Sequence, residues 1–172
     1  ATVEVLSGLG YRVKLIEAGD GARPVCCGRT FLAAGLVDEA RNEARRLFDA
    51  VRPFLDGKTP VVGIEPSCLL TLRDEYLVLG LGNDAAKLAG QAVMLEELLA
   101  REHEAGRVAS GALGTLNGTV HLHTHCHQKA LGVAGPVEAA LRLVDGLAVK
   151  PIESGCCGMA GRLGEQGGEH QG

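Results

Sequence analysis

The chain predicts an α/β fold with mainly parallel strands, laid out as two similar halves. Three observations carry that expectation. Short apolar runs of strand character alternate with amphipathic runs of period 3.6 along the 172 residues. The tripeptide Cys-Cys-Gly occurs twice, at Cys26-Cys27-Gly28 and at Cys156-Cys157-Gly158. Chance would supply about 0.03 copies at these cysteine and glycine frequencies. Finally, each of the four cysteine positions comes soon after an expected strand, the rim at which parallel sheets collect ligands.

Taken in order, residues 1–9 read as the end of a helix, with Val3, Leu6 and Leu9 at helical spacing and Gly10 as the stop. Tyr11 to Ile16 reads as a strand, and Gly19-Asp20-Gly21 as a loop delivering the chain to the first Cys-Cys-Gly. From Asp38 to about Leu55, Ala40, Ala44, Leu47, Phe48 and Val51 form an apolar helical stripe, ended by Gly57. Pro60 to Glu65 is a buried-type strand that runs into Pro66-Ser67-Cys68, a helix start. One long helix is expected from Asp84 to Glu104, with Leu88, Ala92, Leu95 and Leu99 inward. The second half repeats this in shorter form: a strand from Thr119 to Thr124, a helix from Pro136 to Leu147 and a strand from Ala148 to Ile152. The expected organisation is a first half over 1–105, a Gly-rich linker over 106–118, a truncated second half over 119–163 and a polar tail over 164–172. Two Rossmann-like halves related by a pseudo-two-fold, with cysteines at the C-terminal strand ends, describe that plan.

Composition narrows the function. Hydrophobic residues make up 46% of the chain and aromatic residues 3%, so a sizeable core must be aliphatic. A formal charge of −4 without a basic cluster argues against nucleic acid or acidic membranes as partners. No apolar run reaches the roughly 20 residues of a membrane helix, and no signal peptide is read before the first helix. The chain opens inside a helix, so a piece of a longer protein is expected. Six cysteines in a chain this hydrophobic suit a reducing cytoplasm and thiolate ligands better than a disulfide scaffold.

Adjacent thiols followed by a residue free to take positive φ suit a turn that presents sulfur to a metal, so a soft-ligand metal or redox site is expected. Cys68 stands in Glu65-Pro66-Ser67-Cys68 and Cys126 in His123-Thr124-His125-Cys126-His127. Period-2 alternation puts His121 with His123 on one strand face, and His121 reads as a sheet residue rather than a ligand. His123, His125 and His127 could be ligands or donors to sulfur, with His125 or His127 favoured as donors behind Cys126. Glu65 and Glu153 read as caps of the turns that follow them. Arg29 and Lys129 could depress thiolate pKa values or balance the charge of a bound centre.

The segments CCGRTFLAAGLVDEA, GIEPSC, HTHCHQKALG and ESGCCGMAGRLG resemble the cysteine-rich CCG domain family. That family includes the cysteine-rich subunit of heterodisulfide reductase, the iron–sulfur subunit of glycolate oxidase and the C-terminal half of FAD-linked D-lactate and D-2-hydroxyglutarate dehydrogenases, the group the segments look most like. The resemblance runs to about Leu163 and implies an iron–sulfur cluster, of 4Fe–4S type, or zinc as in some relatives. It implies Cys26, Cys27, Cys68, Cys126, Cys156 and Cys157 as ligands. It further implies FAD on a separate flavin domain or subunit, a ferredoxin-like iron–sulfur partner, and a quinone or protein acceptor, with the chain in the cytoplasm or peripheral at the inner membrane face. The chain departs from the full family repeat: Thr71 stands where a second cysteine would follow Cys68, and no cysteine follows Cys157. One shared site, or a site only partly loaded, is therefore expected rather than two full clusters.

Three functions follow. The leading one is electron transfer from flavin to an acceptor, within an iron–sulfur oxidoreductase acting on the CH–OH group of a 2-hydroxy acid; alone, the chain would not oxidise substrate. The second is a structural zinc module that docks a partner protein without a redox role. The third is a thiol–disulfide enzyme that uses a vicinal pair, ranked last because the pairs lack Cys-x-x-Cys spacing.

Overall fold

The computed structural model describes residues 1–17, 23–153 and 155. The second Cys-Cys-Gly, with Cys156 and Cys157, lies outside the described residues, as do the loop around Gly19-Asp20-Gly21 and the expected tail. The fold is α/β with short parallel sheets.

Helix α1 (Thr2–Gly8) buries Leu6. The strand expected over Tyr11 to Ile16 forms no ladder. Its alternation survives nonetheless, because Tyr11 and Val13 pack on Leu6, Val93 and Leu98 while Arg12 and Lys14 face solvent. Tyr11 is pinned by its hydroxyl, which donates to Glu102 Oε2 at 2.5 Å. The segment is thus anchored by side chains rather than by backbone pairing.

After the first Cys-Cys-Gly come α2 (Arg29–Ala33) and α3 (Val37–Val51). Helix α3 buries Ala40, Ala44, Leu47, Phe48 and Val51, the stripe expected from the sequence, together with Glu43. The Glu43 carboxylate is matched by Arg23 and Arg46, and these partners hold it below the usual carboxylate range against the opposing effect of burial. A 3₁₀ turn over 52–54 leads to β1 (Val61–Gly63). Helix α4 (Pro66–Arg73) starts with Pro66 in its first turn and Glu65 as its cap. Gly63 lets α4 close on the strand, since a Cβ there would sit 2.7 Å from Leu69 Cδ1. Helix α5 (Glu75–Val78) buries Tyr76.

The single helix expected over Asp84 to Glu104 is instead α6 (Asn83–Gln91), β2 (Ala92–Met94) and α7 (Leu95–Glu104). Two contacts account for the break. The Gln91 amide donates to Phe54 O at 2.8 Å and Thr59 O at 2.6 Å while accepting from Gly57 N at 2.8 Å, which ties it to the loop before β1. Ala92, Val93 and Met94 are then all buried, as an amphipathic helix would not leave them, and pair in parallel with Val61, Val62 and Gly63. Glu97 reinforces the turn into α7 by accepting from Met94 N at 3.0 Å and from Arg73 Nη1 at 3.0 and 2.8 Å.

Strand β3 (Thr115–Leu122) begins earlier than expected and pairs in parallel with β4 (Asp145–Pro151). Between them lie α8 (Cys126–Ala130) and α9 (Gly135–Leu141). The helix expected to reach Leu147 stops at Leu141, because Asp145 already pairs with Thr115 and Gly146 turns the chain with φ 77°. Leu99 of α7 packs with Val108, Ala140 and Leu143, joining the two sheets' surroundings. The largest core unites α3, α4, α5 and α6 and includes Cys27. No helix among the described residues is long and apolar enough to cross a membrane.

Candidate metal centre

The first Cys-Cys-Gly forms a turn that only glycine can complete. Gly28 has φ 78° and caps α2, and a Cβ on it would lie 2.8 Å from the carbonyl oxygen of Ala40. Its N–H points to Cys26 Sγ at 3.4 Å. Cys27 is buried and Cys26 half-buried. The Cys27 carbonyl accepts from the Tyr76 hydroxyl at 2.9 Å, which fixes the turn to α5.

Cys68 comes to the same place from α4. Its backbone N–H donates to Glu65 Oε2 at 2.5 Å. Interaction with the Cys68 thiol pulls the Cys27 thiol down to about 6; burial opposes the shift and the Arg29 backbone N–H adds to it. Cys68 is pushed up for the same reason, because its proton is the one shared. Tyr76 is raised by its burial and by the charges of Cys27, Cys26 and Cys68. Cys27 and Cys68 thus lie near enough to act on each other's ionisation.

The third approach is from β3. His125 caps α8, and its Nδ1 accepts from His127 N at 3.2 Å and lies 4.0 Å from Cys126 Sγ. The rings of His125 and His127 stack at 5.2 Å. Ligand atoms of His125, Cys126 and His127 all lie within 4.8 Å of one another, a group able to hold a metal ion. Burial and the charge of His127 lower the His125 pKa, with Glu65 opposing. The charge of Glu65 thus acts both on the Cys27–Cys68 pair and on His125. Burial raises its own carboxyl, and the N–H groups of Cys68 and Ser67 outweigh that and hold it low.

Arg29 clasps the two loops. Its guanidinium meets His127 Nε2 at 3.2 Å and Glu75 Oε1 at 3.5 Å. Lys129 of α8 donates to Gly155 O at 3.4 Å, two residues after Glu153. His121 and His123 are exposed, with Val120 and Leu122 turned inward, as the alternation requires. Glu65 caps as expected; the turn after Glu153 lies outside the described residues. Tyr76 is a site residue the sequence did not disclose: its scarcity, one of two tyrosines, was the only signal, and its full burial appears only in the fold.

The donor set suits a soft cation. Four thiols stand as free cysteines among the described residues. In the loop that carries Cys126, His127 Nδ1 is buried without a hydrogen-bond partner among the described residues. Among proteins of known function, 163 residues are 30% identical to a subunit of the anaerobic glycerol-3-phosphate dehydrogenase of Escherichia coli (strain K12), covering 94% of this chain and 39% of that one. Lactate utilization protein A of Bacillus velezensis is 31% identical over 170 residues, 94% of this chain and 65% of the relative. D-2-hydroxyglutarate dehydrogenase of Escherichia coli (strain K12) is 27% identical over 171 residues, 98% of this chain but 15% of the enzyme. The chain is homologous to these dehydrogenase-linked proteins. It spans well under half the length of the two dehydrogenase relatives and just under two thirds of lactate utilization protein A. No protein-family profile and no solved structure matches it.

Proposed function

We propose that this chain is the iron–sulfur, electron-transfer portion of an FAD-linked dehydrogenase acting on the CH–OH group of a small hydroxylated acid, of the D-lactate, D-2-hydroxyglutarate or glycolate type. Electrons pass from a flavin on a separate domain or subunit, with a ferredoxin-like iron–sulfur partner, to a quinone or protein acceptor, with the chain in the cytoplasm or peripheral at the inner membrane face. The observation that supports the reading is that Arg29, next to the first Cys-Cys-Gly, meets His127 of the Cys126 loop at 3.2 Å, while Cys27 and Cys68 act on each other's ionisation. The relatives support it, since their names attach to glycerol 3-phosphate, D-2-hydroxyglutarate and lactate. Three different substrates against one shared segment argue that substrate choice resides outside this chain.

Cys26, Cys27, Cys68 and Cys126 would hold the centre, with Cys156 and Cys157 completing it. A cluster of 4Fe–4S type supplies reversible one-electron storage at a potential set by its surroundings. The chain's own residues set those surroundings. Gly28 aims an N–H at Cys26, Glu65 fixes the start of α4, and Tyr76 and Arg29 lock the Cys27 turn against α5 and the histidine loop.

Anaerobic reconstitution with iron and sulfide tests the reading. Iron and acid-labile sulfide in fixed ratio, visible absorption and an EPR signal on reduction are expected; colourless protein without iron would refute it. The His125–Cys126–His127 group favours one other reading, a structural zinc site that docks a partner. One equivalent of zinc without sulfide, in protein purified without oxygen, would decide for that alternative.

A further inference from the structure

Arg29 offers only hydrogen-bond donors, so His127 Nε2, 3.2 Å away, must accept. A neutral imidazole whose Nε2 accepts carries its proton on Nδ1. That Nδ1 is the buried atom left without a partner among the described residues. An N–H in that position is costly to leave unpaired, and Cys126 Sγ lies within 4.8 Å of a His127 ring nitrogen. His125 is committed differently: its Nδ1 accepts from His127 N, so it has no proton there to give to Cys126 Sγ at 4.0 Å. Nor does His127 suit direct ligation through Nδ1. With Arg29 holding Nε2, a metal on the other nitrogen would require the ring to lose its last proton.

We propose that Arg29 fixes His127 as the Nδ1–H tautomer, so that this ring donates a hydrogen bond to the anionic sulfur of the centre. His127 is then the donor and Arg29 a positioning residue that acts through it. The inference rests on the cluster reading above. A donor aimed at sulfur stabilises the more negative, reduced state, so its consequence is a raised reduction potential.

The test has two parts. In metal-free protein, ¹⁵N NMR of the histidine rings should find His127 protonated on Nδ1, shifted toward the other tautomer in Arg29→Met and restored in Arg29→Lys. In iron-loaded protein, potentiometric titration followed by EPR should find His127→Leu displaced to lower potential. A tenfold change in the oxidised-to-reduced ratio, about 59 mV for one electron, is the expected size. His127→Asn, which keeps a side-chain N–H, should stay near wild type. If His127→Leu takes up no iron, Arg29→Met compared with Arg29→Lys supplies the same contrast. An Nε2–H tautomer in wild type, or a potential indifferent to the donor, overturns the inference while the cluster stands. Wild-type protein that binds no iron overturns both.

Discussion

Replacing Gly28 with alanine separates two demands that the Cys-Cys-Gly turn places on one residue. The first is backbone conformation: φ at Gly28 is 78°, where an L side chain costs about 1–2 kcal/mol. The second is space. The new Cβ would lie 2.8 Å from Ala40 O and 3.1 Å from Ala40 Cα. Ala40 is fully buried on α3, so the helix cannot retreat without disturbing the core, and overpacking of this kind adds about 1–3 kcal/mol. A total near 3 kcal/mol follows, or about 6–12 °C in Tm for a chain of this size. Gly35→Ala is the control, because Gly35 has φ 76° with nothing within 4 Å of its Cβ position. It should lose the conformational part alone. Urea unfolding of the reduced, metal-free proteins measures both. Equal losses at the two positions would refute the claim that α3 presses on the turn, and with it the account of why glycine follows the paired cysteines.

Glu97→Leu should lose about 3 kcal/mol in the same assay, the low end for breaking a buried ion pair, because Glu97 is nearly buried while Arg73 is partly exposed. Tyr76→Phe leaves the Cys27 carbonyl without its donor and should cost about 1–3 kcal/mol; unchanged stability would mean the hydroxyl does not hold the turn. Glu102 contributes to the acid limb of stability. Arg107 first and then Tyr11 depress its pKa from the ordinary 4.5 to about 2, so its contribution is present above pH 4.5 and is lost as pH falls toward 2. Tyr11, raised to about 12 by burial and by Glu102, keeps its proton longer than an ordinary phenol, and its contribution is lost as pH rises from 10 through 12. Urea midpoints measured from pH 5 to 2 should fall less steeply in Glu102→Gln, and identical slopes would remove Glu102 from the account.

The sequence was most legible where one periodicity met no competitor. The stripe of α3 and the Glu65-Pro66 start of α4 were read from capping and spacing alone. Legibility failed where a side chain outweighed the local pattern. Leu88, Ala92, Leu95 and Leu99 fit one helix, yet three long-range hydrogen bonds of Gln91 break it and free Ala92–Met94 for pairing with β1. Tyr11–Ile16 has the alternation of a strand but no ladder, since pattern reports which residues turn inward and not whether a neighbouring backbone is in reach. At the site, cysteine and histidine announced themselves by residue type. The pairing of Arg29 with His127, 98 residues apart, and the place of Tyr76 beneath the thiols exist only in the folded chain.

The charge of the site bears on whether the thiols serve a metal or dithiol chemistry. Glu65 is held ionised by the N–H groups of Cys68 and Ser67, and its charge opposes ionisation of both Cys27 and Cys68. Of that pair one thiol ionises readily and the other keeps the shared proton. Such a pair could by itself attack a disulfide, and a vicinal-thiol enzyme would need little more than these two sulfurs and an approach to them. It would not need two stacked rings beside Cys126, nor a guanidinium fastening that loop to the first Cys-Cys-Gly. The proposed cation would account for both. It would draw protons from thiols that the carboxylate holds back, and would put to use a Cys126 loop that a two-thiol reaction leaves idle.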